Sequence, residues 1–192
     1  ASAPRPCQRS IAAVHCRSSS AIASAGHGYH VKLTVDEPGP SPGLPDIVTM
    51  NRAHSTHYTN QPDPRIPHVL RGWGASPDRP ARHDVSMRDV RVRNVPTNIR
   101  TWYDGGTERH GNSIFVFEVA QLCIGHLGHL HHTLTQQQLD EIGRLDVVFA
   151  PVDGSMTLDS DGMMEVLQAL KAPLVIPMHY FSVHTLNRFL NR

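Results

Sequence analysis

Residues 47–57 read IVTMNRAHSTH, a short apolar run followed by two histidines, His54 and His57. The run predicts a buried strand, because it is short and turn-forming residues precede it. Side chains just beyond the carboxyl ends of neighbouring strands converge at one edge of an α/β sheet, where binding sites tend to form. These two histidines therefore predict a site at the end of a strand.

Two later apolar runs end in histidines in the same way. Residues 121–129 read QLCIGHLGH and residues 173–179 read PLVIPMH, the latter ending at His179. Neutral imidazole is the commonest metal ligand in proteins. The three stretches together predict a His-lined site on a strand-rich scaffold, and leave open whether a metal ion binds there.

Length and composition favour a single domain and point to neither a nucleic-acid nor a membrane partner. The chain has 192 residues, 39% of them hydrophobic, which is enough for one domain with a sizeable core. Its formal net charge is +1, so its electrostatics favour neither nucleic acid nor an anionic membrane as a partner. None of its apolar runs reaches the length of a membrane span. The oligomeric state is not predicted.

Residues 1–35 differ in composition from the rest of this single domain, residues 1–192. They contain no acidic residue but several Arg, Ser and Ala, a composition that mimics a transit segment. A distinct apolar h-region is absent, and we expect a divergent, poorly ordered start to a cytoplasmic protein. The remnant of a targeting sequence is the alternative.

The pattern of elements predicts an α/β protein with strands in its first half and alternating helices and strands in its second. Thr135 and Gln138 have the spacing of a capping box, which predicts the start of a helix. The further predicted elements are a hairpin over 85–95, paired strands at 113–119 and 121–124, a strand at 146–151, a helical stripe at 163–170, a strand at 174–177 and a closing helix at 183–191.

Three stretches resemble the metal-binding segments of the metallo-β-lactamase superfamily. Residues 52–57, RAHSTH, resemble its signature His-x-His-x-Asp-His, and residues 124–129, IGHLGH, look like its Gly-Asp-x-Gly-His segment with His126 in place of the bridging Asp. His179 after its strand matches the last metal-binding histidine of the family. Residues 145–157 are similar to the branch that contains ascorbate-phosphate lactonases and N-acyl-phosphatidylethanolamine phospholipase D.

This resemblance covers roughly residues 44–185 and implies both a fold and an activity. The implied fold is a four-layer αββα sandwich with its site at one edge of the two sheets. The implied activity is that of a metal-dependent hydrolase that acts on an ester, a lactone or a phosphodiester. The catalytic residues themselves are not predicted.

The sequence departs from the family at three metal-binding positions. Arg52 stands where the signature has its leading His, and Thr56 stands where it has its Asp. The family's histidine from a later loop aligns near Asn98. Since a neutral imidazole offers one lone pair, His126 cannot bridge two ions as the family's Asp does. We therefore expect at most one zinc ion, with the ligands His54, His57, His126 and His179.

Four further residues are predicted to contact the bound molecule. His129 is the reserve ligand, Tyr180 is a candidate proton donor beside His179, and Thr56 and Asn98 occupy former metal positions. Asp153 and Gly154 predict a turn near the edge of the sheet that carries the site. The alternative function is a metal-free pseudoenzyme that binds a small anionic ligand through Arg52 and the histidine cluster.

Overall fold

The computed structural model describes residues 44–53, 55, 57–76, 78–101 and 105–192. Predictions that fall on His54, on Thr56 and on the segment 1–35 lie outside these residues. In chain order the elements are β1 (Ile47–Met50), β2 (His68–Arg71), β3 (Asp84–Met87), β4 (Val90–Arg100), β5 (Thr107–Val119), β6 (Leu122–His126), α1 (Gln136–Ile142), β7 (Val147–Pro151), α2 (Ser160–Leu170), β8 (Leu174–Met178) and α3 (Val183–Leu190).

Six of these strands form one mixed sheet in the order β3-β4-β5-β6-β7-β8, while β1 and β2 form a parallel pair of their own. Neighbours from β3 to β6 run antiparallel, and β6, β7 and β8 run parallel to one another. The carboxyl ends of β6, β7 and β8 therefore meet at the same edge of the sheet. That edge is where an α/β sheet tends to carry its site.

Alternating side chains of β5 divide the core into two clusters, because successive strand residues point to opposite faces. Ile114 and Val116 pack with residues of all three helices. Phe115 and Phe117 pack with residues of β1 and β2. The described residues thus form three successive layers, namely the helices, the six-stranded sheet and the two-stranded sheet.

The capping box at the start of α1 is confirmed. The Thr135 side chain accepts a hydrogen bond from the Gln138 amide, and the Gln138 side chain accepts one from the Thr135 amide. The helix ends at Ile142, and the stretch that leads from it into β7 buries Leu145.

A buried arginine of β4 completes the end of α1. The Arg93 guanidinium donates to the carbonyl oxygens of Glu141 at 2.7 Å and Ile142 at 2.6 Å, and to the Glu118 carboxylate at 3.0 Å. The last carbonyls of a helix have no partner inside it. Arg93 therefore supplies the donors that the end of this helix needs.

None of the helices in the described part of the chain is long and apolar enough to cross a membrane.

Candidate metal centre

Three histidines from separate loops converge at the edge where β6, β7 and β8 end. His57 lies in the loop after β1, His129 lies three residues beyond β6, and His179 directly follows β8. One potential ligand atom from each lies within 4.8 Å of the other two. The ring centroids are 5.5 Å apart for His57 and His129, 5.6 Å for His57 and His179, and 5.0 Å for His129 and His179.

The chemistry of this donor set fits a divalent transition metal. His57 and His129 are buried, and the His179 side chain is 15% exposed, so one ring reaches the surface. Three imidazoles with an open fourth position form a known type of catalytic zinc site, with Zn–N bonds of about 2.0–2.1 Å. Around a tetrahedral ion, bonds of that length place the ligand nitrogens about 3.4 Å apart, closer than the 4.8 Å within which the present atoms lie.

Asp153, in the loop after β7, fixes the orientation of His179. Its Oδ2 lies 3.0 Å from His179 Nδ1, and its carboxylate is fully buried. With Nδ1 protonated and donating to this carboxylate, Nε2 keeps its lone pair for a metal. A carboxylate behind a ligating imidazole sets its tautomer and raises its basicity.

The surroundings of Asp153 keep the carboxylate ionised. Burial acts to raise its pKa, but hydrogen bonds from His179, Thr157 and the amides of Ser155 and Met156 lower the pKa well below its usual range. Oδ1 accepts the amides of Ser155 at 2.8 Å, Met156 at 2.5 Å and Thr157 at 3.1 Å, while Oδ2 accepts the Thr157 hydroxyl at 2.5 Å. The sequence predicts the turn that these amides form, but not its contact with His179.

His126 has a different place from the three clustered histidines. It is the last residue of β6, it is buried, and its Nδ1 accepts the Gly128 amide at 3.1 Å. Its ring lies 6.0 Å from that of Phe149. The structure thus brings His129, predicted as the reserve ligand, together with His57 and His179, and leaves His126 at the end of its strand.

The remaining predicted residues have contacts or exposure of their own. The Arg52 side chain is 54% exposed, and its Nη1 is 3.6 Å from Glu108, so a carboxylate already faces the group predicted to bind anions. Asn98 is on β4, where its Oδ1 accepts the His110 amide at 3.0 Å. Tyr180 follows His179 directly and is 42% exposed.

A sequence model described as the β-lactamase superfamily domain matches residues 28–179 of the chain. The chain is also similar to two archaeal proteins named UPF0173 metal-dependent hydrolases. The protein from Thermoplasma volcanium is 33% identical over 97 residues, which are 50% of this chain and 42% of that protein. The protein from Methanoculleus marisnigri is 26% identical over 155 residues, which are 74% of this chain and 69% of that protein. The match thus spans less than half of the Thermoplasma relative.

Two solved structures share the fold. A candidate Zn-dependent hydrolase of the metallo-β-lactamase superfamily from Thermotoga maritima has a TM-score of 0.52 and 30% identity, covering 77% of this chain and 69% of that one. A candidate metal-dependent hydrolase from Parabacteroides distasonis has a TM-score of 0.58 at 12% identity, covering 77% and 71%. The predicted α/β fold of the metallo-β-lactamase type is thereby confirmed.

Proposed function

The chain belongs to the β-lactamase superfamily, and from this premise we propose that it is a metal-dependent hydrolase whose metal is held by His57, His129 and His179. The observation that carries the proposal is the convergence of these three side chains, with ligand atoms within 4.8 Å of one another. Its named relatives described as metal-dependent hydrolases support the same activity.

We propose a single zinc ion for this site. The three ligands are neutral, and imidazole nitrogens suit zinc among the common divalent ions. A second ion nearby would need a bridging carboxylate, and the Asp153 carboxylate is instead engaged by His179, Thr157 and the loop amides. When bound, the ion supplies Lewis-acid activation of water and of the scissile group.

The chain's own residues prepare the site in two ways. Asp153 holds the proton of His179 on Nδ1, so that the ring presents Nε2 toward the other two histidines. Burial of His57 and His129 removes water from around the ligand atoms, which strengthens electrostatic interactions there. The partly exposed His179 marks the side from which a substrate enters. We propose an ester, a lactone or a phosphodiester as the substrate.

The test is the metal content of the full chain, purified without a His-tag and measured by elemental analysis before and after dialysis against Zn²⁺. We expect close to one ion per chain, lost in His57→Ala, His129→Ala and His179→Ala. The matched control is His126→Ala. It removes the buried imidazole at the end of β6 and is expected to keep the ion. Loss of the ion in His126→Ala but not in His129→Ala would overturn the ligand set.

Activity is then measured on panels of aryl esters, lactones and phosphodiesters, with the zinc-loaded chain and with His179→Ala. Turnover that depends on both zinc and His179 supports the proposal. A folded chain that takes up no Zn²⁺ would overturn it and would favour the metal-free anion binder.

A further inference from the structure

A fully buried amide lies directly against the loop that bears His129. The Asn112 side chain, on β5, donates from Nδ2 to the Thr97 hydroxyl at 2.6 Å and to the Leu127 carbonyl at 3.0 Å. Its Oδ1 accepts the His129 amide at 2.9 Å. Because the flipped amide would place donors against the His129 N–H, this pattern fixes the side chain in one orientation. Asn112 thus holds the loop on both sides of Gly128.

A second amide joins the two sheets next to the first. Asn51 directly follows β1, its Oδ1 accepts the Ser113 amide at 2.8 Å, and its Nδ2 donates to the Ser113 carbonyl at 3.0 Å. This two-point bond ties the end of β1 to the residue that follows Asn112 in β5. The same end of β1 leads into the loop that carries His57.

Gly128 brings the backbone of the His129 loop into contact with both amides. Its φ of +62° is in the region that glycine adopts readily. A Cβ at this position would lie 2.3 Å from Asn51 Nδ2 and 2.4 Å from Asn112 Oδ1. Space and backbone conformation therefore both require glycine here, and the loop packs directly on the two side chains.

We infer that Asn51 and Asn112 are positioning residues. Together they fix the position of the His129 loop relative to the strand that leads to His57. The inference rests on the proposed function, because it treats these two histidines as ligands. The two histidines follow strands of different sheets, so a shift of one sheet against the other would separate them. Groups that orient metal ligands typically change metal affinity by about 10- to 100-fold when removed.

The chain offers a closely matched control in Asn94 of β4. It is also a buried strand asparagine with three side-chain bonds, to the His83 amide at 2.6 Å, the Ala81 carbonyl at 3.0 Å and the Ser113 hydroxyl at 2.8 Å. None of these bonds reaches the His129 loop. Asn94→Ala and Asn112→Ala therefore remove the same side chain and the same number of bonds, and we expect similar losses in the urea midpoint.

The experiment measures the Zn²⁺ affinity of the full chain by competition with a chromogenic chelator. Asn112→Ala is expected to weaken Zn²⁺ binding by about 10- to 100-fold, and Asn94→Ala by less than about threefold. Gly128→Ala retains both asparagines but adds a methyl group that pushes the loop away from them. It is therefore expected to resemble Asn112→Ala. If Asn112→Ala does not fold, Asn112→Ser takes its place. Equal losses of affinity in the Asn94 and Asn112 variants, or none in either, would overturn the inference.

A second readout separates this inference from the proposed function. In the metal-free chain, hydrogen exchange at the His129 amide is expected to be at least about tenfold faster in Asn112→Ala than in the wild type, because a buried hydrogen bond is lost. Asn94→Ala is expected to leave this amide unchanged. If the wild type binds no Zn²⁺, the proposed function fails while exchange at His129 still decides the positioning role. An unchanged exchange rate in Asn112→Ala would overturn that role.

Discussion

Replacing Asp153 with Asn tests whether the carboxylate behind His179 contributes to the metal affinity of the site. The two carboxylate oxygens accept hydrogen bonds from the His179 ring, the Thr157 hydroxyl and three loop amides. Asn keeps one of these oxygens and turns the other into a donor. Because the three amides can only donate, the retained oxygen stays with them, and the new NH₂ group faces His179 Nδ1.

Because of this geometry, replacing one oxygen by an NH₂ group changes the tautomer of His179. His179 Nδ1 must then accept instead of donate, so its proton moves to Nε2 and the lone pair meant for the metal is lost. Loss of such a partner typically costs 10- to 100-fold in metal affinity, or about 1.4–2.8 kcal/mol. An uncharged amide also accepts the loop amides less strongly than the carboxylate does, which should lower the free energy of unfolding by about 1–2 kcal/mol.

The assay is Zn²⁺ affinity by chelator competition, with urea unfolding of the metal-free chain alongside. The matched control is Asp159→Asn, which makes the same change at the N-cap of α2, where the Asp159 side chain accepts the Gly162 amide. Asn caps helices about as well as Asp, so both affinity and stability should hold. Zinc affinity of Asp153→Asn within about twofold of the wild type would refute the tautomer argument, since that argument requires at least about tenfold.

Three further perturbations have outcomes that the structure fixes. Arg93→Ala leaves the Glu141 and Ile142 carbonyls at the end of α1 without their donor and removes one partner of a part-buried ion pair, which should cost about 2–4 kcal/mol in urea unfolding. The exposed Arg65→Ala should cost less than about 1 kcal/mol. Burial first, and then the charge of Arg109, lower the pKa of His110 below 6.5, so stability should fall as pH drops below 6.5. His110→Asn, which suits the φ of +57°, should flatten that slope, and an unchanged slope would contradict this assignment. Arg52→Ala should leave Zn²⁺ affinity within about threefold, and a larger loss would contradict its position facing solvent and Glu108.

Local sequence signals were sufficient to predict much of the fold. The capping box at Thr135 and Gln138, the apolar run before Asn51 and the strand that ends at Pro151 all form as predicted. Each depends on neighbours close in the chain, such as a cap three residues away or the alternation of side chains along a strand. The parallel strand β2 was not predicted, because its pairing with β1 joins segments about twenty residues apart and no local pattern marks it.

The site was predicted less completely because its geometry depends on contacts between distant segments. The sequence predicted His126 as a ligand and His129 as a reserve, whereas in the structure His126 is the last residue of its strand and the loop through Gly128 brings His129 into the cluster. Asp153 contacts His179 because the two residues follow the neighbouring strands β7 and β8, which are distant in sequence. The available signal was an acidic residue just after a buried strand, which predicted a turn but not the partner of its second oxygen.

The position of this carboxylate bears on how many ions the site holds. A carboxylate that faces two metal positions offsets the charge of both ions, whereas one placed behind an imidazole acts on a single ion through that ring. Asp153 has the second arrangement, and its remaining hydrogen-bonding capacity is taken by Thr157 and the loop amides. It therefore cannot turn toward the three histidines without breaking these buried bonds, each of which is costly to leave unmade. Among the described residues, this arrangement supports our proposal of a single zinc ion.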